Sequence, residues 1–105
     1  MFDSNFPDSN LLKTVLEPLL EDFQYWFARS RTLLESDAIA FLTEAQQTDL
    51  LQRVTHAYQE VLTAQLLLKA TNGQAGVDTS LLMAWHQLVS DCWQVSMRLR
   101  AEKSR

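Results

Sequence analysis

The side chains most able to do chemistry in this chain are His56, His86 and Cys92, the soft metal ligands and the natural nucleophile–base candidates. Their spacing does not assemble a site. His86 and Cys92 lie six positions apart, on different faces of one helix, and His56 falls on the polar side of another. There is no His-Glu-x-x-His run and no Glu-x-x-His pair, so neither a zinc protease nor a di-iron bundle is indicated. Cys92 sits in an apolar stripe, where a thiol behaves as a small hydrophobe with a raised pKa. The carboxylate pairs Glu17/Glu21 and Glu21/Asp22 read as a solvated, dipole-favoured helix face, not an acid–base dyad. Gly73 and Gly76 follow no strand and make no phosphate loop. The expectation is a protein that is not an enzyme, with no catalytic residue, no metal site and no cofactor.

Aromatic residues are the more distinctive feature. Phe23, Tyr25, Trp26 and Phe27 crowd five positions, and Trp85 and Trp93 lie near the other end of the chain. At about 100° per residue Phe23, Trp26 and Phe27 share one helix face, while Tyr25 points nearly opposite. Three of these rings are therefore expected in a core. An alternative is that Phe23, Trp26, Phe27, Trp85 and Trp93 line a pocket for an apolar or flat cofactor or a lipid, although no polar anchor marks one. Outside the core, Tyr25 and Arg29 beside Asp22, and Leu82, His86, Trp93 and Met97 on one flank of the last helix, are interface candidates by residue type and grouping.

These residues must be positioned by helices. The chain has 105 residues, only two Gly and two Pro, and 47% hydrophobic residues, which suits one domain built from a few long helices. Leu12, Leu16, Leu19, Phe23, Trp26 and Leu33, completed by Ser30, repeat at four-three spacing in a first helix over about 10–36. Val15, Leu20, Phe27 and Leu34 flank that stripe, and Pro18 is expected to bend the helix. Leu50, Val54, Ala57, Val61, Ala64 and Leu68 mark a second helix over about 43–70, opened by a Thr43/Gln46 capping box and stopped by Asn72 and Gly73. Gln65 lies within its apolar arc and requires a partner. Leu81, Trp85, Leu88, Cys92, Val95 and Leu99 mark a third over about 79–101, capped by Asp78. The connector residues Ile39, Phe41 and Leu42 should plug one end. The expected fold is all-α: an antiparallel up-down-up three-helix bundle with coiled-coil-like packing, preceded by a flexible arm over 1–9 carrying Phe2 and Phe6, and followed by a basic tail over 102–105.

Net charge is −4 and the isoelectric point is near 5.0, which argues against nucleic acid as a partner. Bases gather at the end, in Arg98, Arg100, Lys103 and Arg105, where they complement a helix dipole or allow peripheral contact with an anionic membrane or acidic partner. One cysteine precludes an internal disulfide, no apolar run reaches the ~20 residues of a membrane span, and the first ten residues lack signal-peptide character. A cytoplasmic protein is expected.

The runs LLKTVLEPLLEDFQYWFARSRTLLE (11–35) and WHQLVSDCWQVSMRLR (85–100) resemble an uncharacterised family of short cyanobacterial proteins, a domain of unknown function. That resemblance covers about Asn10 to Arg100. It implies a cyanobacterial source and an intracellular setting, and it transfers no activity or site residue. The functional expectation is thus a helical interaction module, self-associating as a homo-oligomer or docking on a larger assembly through the helix 3 flank.

Overall fold

The computed structural model describes residues 9–104; the arm with Phe2 and Phe6, and Arg105, lie outside the described residues. Three helices account for nearly all of it: α1 (Ser9–Ser36), α2 (Glu44–Ala70) and α3 (Thr79–Lys103). They form an all-α, up-down-up bundle with extents of 62 × 22 × 18 Å. α1 and α2 make the closest pairing, and α3 lies less tightly against both. The α1 helix passes through Pro18 as one element, with the ring on the exposed side.

The core runs along the rod as a single cluster. It contains Leu16, Leu20, Phe23, Phe27 and Leu34 from α1, Leu50, Val54, Ala57, Val61 and Leu68 from α2, and Trp85, Leu88, Val89 and Cys92 from α3. In α1 the buried line is rotated from the expected one. Leu20 and Phe27 are fully buried, Leu19 and Trp26 are only partly so, and Val15 is exposed. The close approach of α2 explains the shift, because it draws α1's buried stripe toward itself and leaves the opposite flank to the more distant α3.

Helix ends are defined by local chemistry. The Gln46 amide N–H donates to Thr43 Oγ1 at 3.0 Å and the Thr43 N–H donates to Gln46 Oε1 at 2.9 Å, a closed capping box. At the far end of α2 the Gly73 N–H reaches the Leu68 carbonyl at 2.8 Å and the Asn72 N–H reaches the Lys69 carbonyl at 3.2 Å. Asn72 and Gly73 take φ of 52° and 85°, the left-handed geometry of a Schellman stop. Asp78 caps α3 through the Ser80 N–H at 2.9 Å. The two bonds from Ser80, backbone first, hold its carboxyl below the ordinary carboxylate range.

Gln47 closes the α1–α2 connector. Its Nε2 donates to the carbonyls of Leu34 at 2.8 Å and Asp37 at 2.6 Å, and its Oε1 accepts from the Ile39 N–H at 3.0 Å. These bonds satisfy carbonyls left open where α1 ends and pin Ile39 into the core. Between α1 and α2, Gln65 Nε2 donates to Gln24 Oε1 at 3.0 Å and Arg31 lies over the Tyr58 ring at 4.7 Å, while Arg98 of α3 lies over the connector's Phe41 ring at 4.3 Å. Gln47→Ala leaves two part-buried backbone groups, the Ile39 N–H and the Leu34 carbonyl, unpaired, together with the exposed Asp37 carbonyl, and should cost about 2 kcal/mol in urea unfolding. Gln46→Ala, which opens only the exposed capping box, should cost about 1 kcal/mol or less.

Candidate functional site

The Phe23–Phe27 segment divides its rings between two clusters. Inside, Phe27 stacks on Phe23 with centroids 5.9 Å apart, and Phe23 meets the edge of Trp85 at 5.5 Å. Outside, Tyr25 packs edge-on against Trp26 at 5.1 Å, and Trp26 packs edge-on against Trp93 at 5.2 Å. Trp85 is only 1% exposed, and its indole N–H donates to Glu60 Oε1 at 3.2 Å, which satisfies its one polar atom. Trp93 is 46% exposed. Of the three rings expected in the core, Phe23 and Phe27 are there; Trp26 stands at the rim, because α3 approaches that flank through the bulk of Trp93.

The outer rings make a seam that runs from the groove between α1 and α3, held by Trp26 and Trp93, onto the outer face of α1 at Tyr25. The Tyr25 ring is 55% exposed, and Arg29 Nη1 donates to its hydroxyl at 2.9 Å. On α3, Met97 follows Trp93 by one turn and is 62% exposed; His86 precedes it by two turns and is also exposed. Leu82 is half-buried and packs against the core. Tyr25 and Trp93, on separate helices and far apart in sequence, thus belong to one surface through Trp26. The sequence reasoning missed a second exposed apolar site, Leu66 and Leu67 near the end of α2. Both fall off that helix's four-three stripe, and that was the available signal.

The basic residues do not form a separate tail as far as they are described. Arg98 lies over Phe41 and pairs with Glu102 at 3.6 Å, while Arg100 and Lys103 are exposed on the last turns of α3.

The polar candidates are dispersed. His56 Nε2 lies 3.6 Å from Glu60 on the same helix. Cys92 is buried, and burial pushes its thiol up, opposed by a hydrogen bond from the Ser30 side chain. Among the described residues no group of three or more His, Cys, Asp or Glu is placed to hold a metal ion. Open grooves flank the bundle, one of about 540 Å³ between α1 and α2 floored by Leu20 and Leu62, and another of about 570 Å³ beside Tyr25, Ala28 and Arg29. The space beside Ser30 and Cys92 is only about 10 Å³, room for about one water. The interior aromatic rings fill space against one another. No described helix is long and apolar enough to cross a membrane.

Fold and surface together define a small helical bundle with an exposed, aromatic-rich surface. The chain belongs to the family described as "Protein of unknown function (DUF2605)", which matches residues 6–101. No curated protein and no solved structure matches it.

The two α3 tryptophans should separate cleanly on mutation. Trp85→Ala should cost about 3–5 kcal/mol in chemical unfolding, and Trp93→Ala about 1 kcal/mol or less for the isolated chain. The Cys92 thiol, held protonated by burial, should react with a thiol reagent far more slowly in the native than in the unfolded protein. The sign of its pH effect follows: stability present below the unfolded thiol pKa of about 8.5 is lost as pH rises toward the higher folded value. A native labelling rate equal to the unfolded rate would contradict this burial.

Proposed function

We propose that the protein is a helical protein–protein interaction module that docks through the α1–α3 seam, with the apolar flank of α3 as its centre. The observation that carries this reading is the continuous Tyr25–Trp26–Trp93 ring contact on the outside of the bundle, extended by Met97. Three features support it. Trp, Tyr and Arg are the types that dominate interface energetics, and Arg29 borders these rings. Edge-to-face contacts hold the rings in place before any partner arrives, which lowers the ordering cost of binding. The core retains its own aromatic pair, Phe23 and Trp85, and Tyr25 and Trp93 lie outside it, exposed.

In this reading the module acts in the cytoplasm of a cyanobacterial cell, either as a homo-oligomer or on a larger assembly. Arg100 and Lys103 stand on the last turn of α3 and favour an acidic partner or an anionic surface there; Arg98, over Phe41 and paired with Glu102, is already engaged.

The test is recovery of the tagged full chain from its host, comparing wild type with Trp93→Asp at equal helicity by far-ultraviolet circular dichroism. A buried hot spot of ~2 kcal/mol corresponds to roughly thirtyfold in affinity. The variant should therefore lose the stoichiometric assembly that the wild type keeps. An identical complement of bound proteins, or an identical mass, for both chains would contradict docking through this seam.

A further inference from the structure

We infer that the seam is covered by a second copy of this chain, packed antiparallel across a two-fold axis that passes between Tyr25 and Trp26 of α1. The inference rests on the reading that the seam is a docking surface, and it adds the identity of the occupant. It is carried by the charge pattern of α1's outer face.

Asp22 and Arg29 stand on either side of the Tyr25–Trp26 pair, and both are exposed. They are seven positions apart in the chain, about two turns or ~10 Å along the axis, and therefore on nearly the same line. Among the described residues neither has an oppositely charged partner. Other exposed charges, among them Glu21, Glu44 and Lys69, also lack an ion pair within the chain; Asp22 and Arg29 are distinguished by their opposite signs and by bracketing the exposed rings on one line of the helix. The Arg29 guanidinium is instead held against the Tyr25 hydroxyl, at the edge of the seam.

A two-fold contact is self-complementary: what one copy presents, the other must accept. An antiparallel second copy centred on Tyr25–Trp26 sets Asp22 of each chain against Arg29 of the other, twice per dimer. The same register sets Tyr25 against Trp26 and the exposed Pro18 against the half-buried Leu33. A parallel copy would oppose Asp22 to Asp22 and Arg29 to Arg29, so charge selects the antiparallel arrangement. Trp93 and Met97 flank the contact through Trp26. From Val15 to Leu33 the seam is about 27 Å long at 1.5 Å per residue and two helices wide. That footprint is on the scale of a standard interface, which buries ~800 Å² per partner.

Sedimentation of the full chain with charge reversal tests this. Wild type should run at twice 12.1 kDa. Asp22→Arg and Arg29→Asp should each weaken the dimer by about tenfold or more, because the symmetry places two like-charge contacts in every dimer. The double variant Asp22→Arg/Arg29→Asp, which swaps the pair, should regain the wild-type mass. Both substitutions are at exposed positions, and unchanged helicity of all three variants confirms folding. The inference is overturned by a wild-type monomer at about 100 μM, by single variants that dimerise as the wild type does, or by a folded double variant that is not rescued. A monomeric wild type that still loses a different bound protein on Trp93→Asp would overturn the second-copy inference and leave the docking surface standing.

Discussion

The packing of Trp85 fixes the relation between the three helices. Its ring lies edge-on to Phe23 of α1, its N–H is bonded to Glu60 of α2, and its backbone belongs to α3. A ring of this size, almost wholly buried, allows α3 only one rotation about its own axis. Trp93 lies eight residues farther on, and eight residues turn a helix by about 80° beyond two full turns. With Trp85 inside, Trp93 is thereby carried to the flank next to α1. There it meets Trp26, and the outer seam is a consequence of the inner lock.

The same constraint explains why the Phe23–Phe27 segment does two jobs. Its buried members, Phe23 and Phe27, face the α1–α2 pairing and Trp85; of the others, Trp26 faces the groove toward α3, and Tyr25 packs against Trp26 from the outer face of α1. α3 rests less closely on its neighbours than α1 and α2 rest on each other. A groove filled by two indole rings is apolar and incompletely closed. The core closes on Phe23, Phe27 and Trp85 beneath this surface, which carries large rings packed edge to face. Exposed aromatic surface of that kind is costly to solubility and is characteristic of docking sites.

Much of the architecture was legible in the residues. Four-three repeats marked three helices, Thr43 with Gln46 marked a start, and Asn72 with Gly73 marked a stop, because each of these signals is local and has a short-range physical cause. Gln65 asked for a partner and has one in Gln24. What could not be read was set by tertiary approach. Nothing local distinguishes Leu20 from Leu19, or Phe27 from Trp26, as the centre of α1's buried line; that depends on α2 approaching more closely than α3. Gln47 looks like any polar residue of a first turn, and its three bonds exist only once the connector folds over it. Tyr25 and Trp93 were legible singly as exposed rings, but their union through Trp26 needed the positions of two helices.

The central claim is that the α1–α3 seam is covered when the protein is assembled. Hydroxyl-radical footprinting of the native assembly against the chain diluted to monomer tests it most directly, read at Tyr25, Trp93 and Met97 with the exposed His56 of α2 as an internal reference. The account predicts that oxidation of the three seam residues falls several-fold in the assembly while His56 is unchanged. Equal oxidation of Tyr25, Trp93 and Met97 in both states would contradict it.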